Sequence, residues 1–209
     1  GGGAGSGPAP VVQPRRPAVQ YGNCVQMLDS FIIEEDEDGI CIIDQHALHE
    51  RILYNRIKGR LEKGRLDSQQ LLVPEVVELP KQEFYAILDL REELAQFGMQ
   101  IEDFGEQTIL VRAFPQILGK FDGKTFFEDL LDELAGPEGA RKVDGRLDKL
   151  IRMMACHSAV KAGQRLSPEQ IRHIMQQRSE AGPTDTCPHG RPTTIRLSHR
   201  ELDKKFRRT

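Results

Sequence analysis

The sequence predicts an α+β fold in two lobes, in which both ends of the chain form one lobe and the middle of the chain is inserted as a second. Hydrophobic periodicity gives the order strand, strand, helix, an inserted α/β segment, then helix, helix, strand, helix. Charge divides along the same line, because residues 61–140 contain 17 acidic and 7 basic residues, whereas residues 141–209 contain 7 acidic and 16 basic ones. Such asymmetry indicates two modules, one of which could meet an anionic partner. We place the first lobe at 20–66 and 141–209 and the inserted lobe at 67–140.

Composition sets the broad class of the protein. A chain of 209 residues with 38% hydrophobic and 29% charged residues is typical of a globular protein of one or two domains. No apolar run approaches the ~20 residues that cross a bilayer, so no membrane association is expected. With 4 cysteines and no secretory signal, we expect a reducing, cytoplasmic setting. The Gly- and Pro-rich residues 1–19 are interpreted as a flexible linker or tail.

The first lobe begins with two predicted strands, 24–34 and 40–43, joined by an acidic turn that ends in Asp38-Gly39, a hairpin signal. After Asp44, apolar residues recur at helical spacing and predict a helix that ends near Gly64.

The inserted lobe should contain a strand, a helix, two strands and a helix. The predicted bounds are a strand at 71–79 interrupted by Pro74, a helix at 81–97 stopped by Gly98, strands at 99–104 and 107–113, a helix at 123–135, and a break at 136–139.

The basic last third returns to the first lobe. A helix is predicted at 145–162, ending at Gly163. Capping-box patterns at 167–170 and 198–201 each predict the start of a helix, and a strand is predicted at 193–197 between them.

The stretch "GICIIDQHALHER" (39–51) runs from an apolar strand directly into acids and imidazoles. In one interpretation Asp44 caps the following helix and the histidines merely lie on its first turn. In the other, these groups are metal ligands or catalytic groups held at a strand-to-helix junction. His46 and Glu50 are at i and i+4, so they lie on the same side of a helix and suit one cation.

Two later segments carry further donor atoms. "CPHGRP" (187–192) offers Cys187 and His189, and "ACHSAVKAG" offers Cys156. Thiolate, imidazole and carboxylate together favour Zn²⁺, although the ligands are too scattered for a zinc finger. The remaining cysteines, Cys24 and Cys41, fit strand interiors and are predicted to be core residues.

In this order, "DQHALHER", "ACHSAVKAG", "CPHGRP" and the terminal "KFRRT" resemble the four signature segments of the C-terminal domain of MutL mismatch repair proteins. More narrowly, they resemble the bacterial branch in which this domain is a metal-dependent nicking endonuclease. The resemblance covers about residues 20–209. It implies an elongated α+β homodimer with an external regulatory lobe. It also implies a bacterial, nucleoid-associated protein that works with double-stranded DNA, the replicase sliding clamp and the mismatch-recognition protein MutS.

The resemblance also implies roles for the candidate residues. Asp44 and Glu50 would be catalytic, with Mn²⁺ or Mg²⁺ as the second cation beside Asp44. A zinc-type centre would be held by His46, Glu50, Cys156, Cys187 and His189. One position departs from the family pattern, because a Glu usually follows the ligating Glu by five residues and Asn55 stands there. Asn brings no charge, so we expect the second cation to bind less tightly.

Two further interpretations concern partners. "QQLLVP" (69–74) resembles a peptide that docks on the bacterial sliding clamp, with Gln69, Leu72 and Pro74 as anchors. Without that resemblance it would be an ordinary edge strand. Lys161 and Arg191 are candidate contacts to DNA phosphate.

The sequence also suggests two other functions. One is a non-catalytic dimerisation and scaffold module with structural zinc. The other is a metal-binding transcriptional regulator, which is disfavoured because the sequence contains no helix-turn-helix pattern.

Overall fold

The computed structural model describes residues 19–64, 66–135 and 143–208, and it contains mixed helices and two antiparallel sheets. Residues 1–18 of the predicted linker and the predicted break at 136–139 lie outside this range. The strands are β1 (Val19–Tyr21), β2 (Cys24–Met27), β3 (Phe31–Asp36), β4 (Gly39–Asp44), β5 (Ser68–Glu78), β6 (Gln100–Gly105), β7 (Thr108–Pro115) and β8 (Thr194–Ser198). The helices are α1 (Gln45–Leu61), α2 (Lys81–Asp89), α3 (Arg91–Gln96), α4 (Gly123–Ala135), α5 (Val143–Ser158), α6 (Pro168–Glu180) and α7 (His199–Phe206).

The larger sheet has the order β1-β2-β3-β4-β8, so it combines strands from both ends of the described chain, with β1 and β8 at its two edges. The hairpin predicted at Asp38-Gly39 joins β3 to β4. Gly39 has φ +151°, and a Cβ on it would lie 2.2 Å from the carbonyl oxygen of Leu197, so only glycine lets β8 approach β4 this closely. The single strand predicted over 24–34 is wrong, because Leu28 and Asp29 adopt left-handed conformations and turn the chain between β2 and β3.

The two faces of the larger sheet differ. Side chains of alternate residues, such as Ile32, Cys41 and Ile43, are buried on the inner face against α1 and α6. Cys24 and Cys41 are buried free thiols, which confirms their prediction as core residues. On the outer face, paired apolar residues follow one another across the adjacent strands β2, β3, β4 and β8, and they are Val25, Ile33, Ile42 and Ile195.

The smaller sheet has the order β5-β7-β6 and packs with α2, α3 and α4 around a separate part of the core. The predicted interruption of β5 at Pro74 is present, because the pairing of β5 with β7 shifts between Gln70 and Glu75. The single helix predicted over 81–97 is wrong. Leu90, at φ −92° and ψ 5°, separates α2 from α3 and buries its side chain.

The long helix of the last third ends earlier than predicted, at Ser158 rather than at 162. Both capping boxes are confirmed, at Ser167 and at Ser198. Within the described residues, no helix is long and apolar enough to cross a lipid bilayer.

Candidate metal centre

Asp44 joins β4 to α1 through its side chain and its backbone. Its Oδ1 accepts hydrogen bonds from the backbone N–H groups of His46 and Ala47, both at 3.0 Å, so Asp44 is the N-cap of α1. Its own N–H donates to the carbonyl oxygen of Thr193 at 2.9 Å. The structure therefore confirms that Asp44 caps α1.

His46 is oriented by the segment that follows α5. Its Nδ1 lies 2.8 Å from the carbonyl oxygen of Val160. A carbonyl only accepts hydrogen bonds, so Nδ1 carries a proton and Nε2 is the nitrogen that faces Glu50, at 3.3 Å from Oε1. The hydrogen bond with Glu50 raises the pKa of His46, against the lowering effect of burial. A second partner that fixes the tautomer in this way is typical of metal-binding histidines.

Glu50 is a buried carboxylate with an unpartnered oxygen. It is 1% exposed, and its Oε2 makes no hydrogen bond within the described residues. Ring and guanidinium nitrogens of His189 and Arg191 stand 3.9 Å and 3.8 Å from Oε2, too far for hydrogen bonds. Burial raises the pKa of Glu50, but the hydrogen bond to His46 and the charge of His46 outweigh it, so the net pKa is lowered. A buried anionic oxygen of this kind is costly unless a cation or donor reaches it.

All five predicted ligands meet around Glu50. The donor atoms of His46, Glu50 and Cys156 lie within 4.8 Å of one another, and so do those of Glu50, Cys187 and His189. Burial, followed by the charge of Glu50, raises the pKa of the Cys156 thiol. A bound metal ion would act in the opposite direction, because it binds the thiolate form. We call these five residues the ligand cluster: His46, Glu50, Cys156, Cys187 and His189. Their sulfur, nitrogen and oxygen donors fit Zn²⁺.

The segment between α5 and α6 is held by buried polar side chains of α1 and β2. The Gln45 amide donates to the carbonyl oxygens of Lys161 and Gln164, at 3.1 Å and 2.9 Å. Gln26 bonds to both Gln45 and Gln164. These contacts fix Val160 against His46, and they explain why α5 stops short of its predicted end.

His49, on α1, is a second imidazole in this arrangement. Its Nδ1 accepts a hydrogen bond from the backbone N–H of Val160 at 3.0 Å. Burial, followed by the charges of His173 and His46, lowers the pKa of His49 to about 4. The only signal in the sequence was its spacing of three residues from His46.

The two candidate phosphate contacts lie at the rim of the cluster. The Nζ of Lys161 donates to the carbonyl oxygen of Cys156 at 2.7 Å. The Arg191 side chain is 62% exposed, and its hydrogen bond with Cys187 raises its pKa. A cleft of about 430 Å³ opens beside Cys156 and His189, with acidic side chains of α4 on its other wall.

The remaining predicted residues lie elsewhere. Gln69, Leu72 and Pro74 belong to β5 of the smaller sheet, where Leu72 is fully exposed. Asn55 lies outside the ligand cluster. Its amide donates to the carbonyl oxygens of Ala181 and Pro183 at 2.9 Å and 3.1 Å.

Comparison with known proteins gives consistent matches. A family model described as "MutL C terminal dimerisation domain" matches residues 24–166. The chain is 38% identical over 183 residues to the DNA mismatch repair protein MutL of Bartonella bacilliformis. It is 37% identical over 183 residues to the proteins of that name from a Chelativorans species and from Rhodopseudomonas palustris. These alignments cover 88% of the chain but only 30%, 30% and 31% of the relatives, so the chain spans about a third of their length.

Proposed function

The chain belongs to the family of MutL C-terminal dimerisation domains, and from that premise we propose that it is the metal-dependent DNA-nicking and dimerisation module of a mismatch repair protein. The observation that carries this proposal is Glu50, whose unpartnered buried oxygen faces two groups of sulfur and nitrogen donors. Zn²⁺ held by the ligand cluster would complete that environment.

Asp44 supports the catalytic part of the proposal. Both of its cap bonds use Oδ1, so Oδ2 is the oxygen that we assign to a cation. One carboxylate would then cap the helix and hold Mn²⁺ or Mg²⁺ at the same time. A divalent cation at such a site supplies an acidified water and stabilises charge on a phosphodiester. Asp44 and Glu50 would fix its position.

DNA would approach from the basic part of the chain. Residues 141–209 carry 16 basic and 7 acidic side chains. Arg191 lies within 4 Å of Glu50 and keeps most of its side chain in solvent. A guanidinium in that position can hold a phosphate next to the cation while Lys161 contacts a neighbouring one.

A second copy of the chain would cover the outer face of the larger sheet. The row Val25, Ile33, Ile42 and Ile195 crosses four strands, and Ile195 is 60% exposed. Met27, Leu28 and Phe31 extend this apolar surface at the turn between β2 and β3. An apolar face of this kind suits an isologous homodimer, in which the same patch packs on itself.

We further propose that the sliding clamp binds at β5 and that MutS is a partner of the assembled protein. Leu72 and Val73 project where β5 leaves its pairing with β7, and both are largely exposed. Extended peptides with exposed apolar anchors dock in this way.

The test is nicking of supercoiled plasmid by the purified chain in Mn²⁺ or Mg²⁺, with and without the clamp. We expect open circles that disappear with chelator and with the Glu50→Gln variant prepared identically, which controls for contaminating nucleases. No open circles under any of these conditions would contradict the proposal.

The alternative is a non-catalytic scaffold with structural zinc. The N-cap role of Asp44 favours this alternative, because it explains the presence of that carboxylate without a catalytic function. A protein that binds zinc and dimerises but never nicks would establish it.

A further inference from the structure

Two residues of α1 contact the loop that carries two of the five residues of the ligand cluster. Arg51 donates from Nε to the carbonyl oxygen of Thr186 at 2.5 Å and from Nη2 to that of Cys187 at 2.7 Å. One turn later, Asn55 donates to the carbonyl oxygens of Ala181 and Pro183. Four carbonyl groups of the segment 181–187 are therefore bonded to side chains at i and i+4 on one helix.

This loop has little regular structure of its own. It runs from the end of α6 at Glu180 to the start of β8 at Thr194, and one isolated bridge pairs Thr186 with Pro192. Within it, the N–H of Cys187 donates to the carbonyl oxygen of Arg191 at 2.8 Å. A ligand on such a loop is placed only as well as the loop itself is held.

The position of Arg51 in the helix makes the contact relevant to metal binding. Arg51 follows Glu50 directly, so the turn of α1 that presents the shared carboxylate also holds the backbone of Cys187. The Arg51 guanidinium lies 5.0 Å from the centre of the Tyr54 ring, and the Tyr54 hydroxyl donates to Asp148 on α5. Ligands from α1, α5 and the loop are thereby tied together through this side chain.

The chemistry of the two side chains is specific. A guanidinium presents two parallel N–H groups to two consecutive carbonyls, which a lysine ammonium cannot match. Asn55 acts as a donor, and a carboxylate at this position would face the oxygens of Ala181 and Pro183 with no proton to share. The amide at position 55 therefore serves the loop.

We infer that Arg51, assisted by Asn55, is a positioning residue that holds Cys187 and His189 in place for metal binding. This inference rests on the proposed metal centre and adds to it two residues that are not themselves ligands. A partner of a ligand typically changes metal affinity by 10–100-fold when it is removed.

The test is titration of the full chain with cobalt(II) chloride, followed by the thiolate-to-cobalt charge-transfer absorption in the near ultraviolet. We expect the parent to bind cobalt and to show this absorption band. The Arg51→Met and Asn55→Asp variants should bind cobalt at least about 10-fold more weakly than the parent and show a smaller band. The cobalt affinity of Arg51→Lys should lie between those of the parent and Arg51→Met. Arg56→Met is the matched control, since Arg56 is exposed on α1 and should match the parent.

The outcomes separate the two proposals. If the parent binds no cobalt, the metal centre itself fails. If the parent binds and Arg51→Met binds with the same affinity and the same band, the positioning role is overturned. Circular dichroism of the metal-free variants identifies any that do not fold. If Arg51→Met is one of them, Arg51→Lys and Asn55→Asp decide, and parent-like cobalt binding by both overturns the inference.

Discussion

His46 Nε2 faces Glu50 Oε1 at 3.3 Å while the opposite ring nitrogen is committed to the carbonyl oxygen of Val160. This leaves two states for the pair. Either the imidazole carries a second proton and pairs with the carboxylate, or a metal ion lies where the lone pairs of nitrogen and oxygen converge. Proton and metal therefore compete for one position, which is the usual relation between metal binding and ligand protonation.

The first prediction concerns Glu50→Gln. Gln keeps the shape of the side chain but removes the anionic oxygen shared by both donor groups, so zinc should no longer stabilise the fold. In the parent, zinc at about 100 times its Kd should add about 2.7 kcal/mol to the free energy of unfolding. Thermal melts with and without zinc measure this difference. Glu180→Gln, at an exposed position of α6, should keep the full stabilisation by zinc. If zinc still stabilises Glu50→Gln, this carboxylate is not a ligand.

The second prediction concerns His49 in metal-free protein. Its folded pKa of about 4 lies below the ordinary value of about 6.5, so protons bind preferentially to the unfolded chain. Stability should be complete above about pH 6.5 and fall as pH drops towards 4, by up to roughly 3 kcal/mol. His46 and His173 are the charged groups that add to burial in this shift.

The measurement is urea unfolding between pH 4 and 7 for parent, His49→Gln and His173→Gln. Gln at position 49 can still accept from the Val160 N–H but does not titrate. The difference in unfolding free energy between parent and His49→Gln should therefore change over this range. His173→Gln should fall between the parent and His49→Gln, because it removes one of the charges that lower the pKa of His49. Parallel curves for all three proteins would contradict the assignment.

Local signals in the sequence predicted much of the fold. The capping boxes at Ser167 and Ser198 and the hairpin at Gly39 were correct because each depends on neighbouring residues alone. The turn at Leu28 was missed because it contains no glycine or proline. The early end of α5 was missed because distant side chains, including Gln45, bind the following segment.

The candidate site shows the same division. The five candidate ligands were identified by residue type and family resemblance, and the structure brings them together. Arg51 was not singled out, since its carbonyl partners lie 135 and 136 residues away in sequence. A contact at that separation leaves no periodic or local pattern.

The third prediction concerns the outer face of the larger sheet. Ile195→Asp places a charge in the apolar row where the second copy would pack. The dissociation constant of the dimer should therefore rise 100-fold or more, which corresponds to about 3 kcal/mol of lost interaction. Light scattering at tens of micromolar should change from dimer to monomer mass. Phe104→Asp is the control, because Phe104 is 65% exposed on the smaller sheet. A monomeric parent would contradict the dimer itself.

The fourth prediction concerns β5. Replacing Gln69, Leu72 and Pro74 with Ala should abolish stimulation of nicking by the clamp, while metal content and melting temperature stay within error. The fold should tolerate the change because Gln69 and Leu72 are exposed and Pro74 lies where β5 is unpaired. Val76→Ala, an exposed residue of the same strand, should leave stimulation intact. Stimulation that survives the triple change would make this segment an ordinary strand.

The last prediction separates the two roles of Asp44. Asn is as good an N-cap as Asp, so Asp44→Asn should keep the bonds to His46 and Ala47 and leave melting and dimerisation unchanged. Asp44→Ala loses the cap and should cost about 1 kcal/mol of stability. If the carboxylate serves only as a cap, nicking by Asp44→Asn should equal that of the parent.

If Oδ2 holds the catalytic cation, both substitutions should reduce nicking by orders of magnitude, because neither amide nor methyl supplies the negative charge that binds and activates it. Initial rates of plasmid nicking over a range of manganese concentrations measure this. Raising manganese should not restore Asp44→Asn to the parent rate if the charge is required in the reaction as well as for binding. Parent-like nicking by Asp44→Asn would show that the site does not cut DNA through Asp44, and the scaffold function with structural zinc would then account for the ligand cluster.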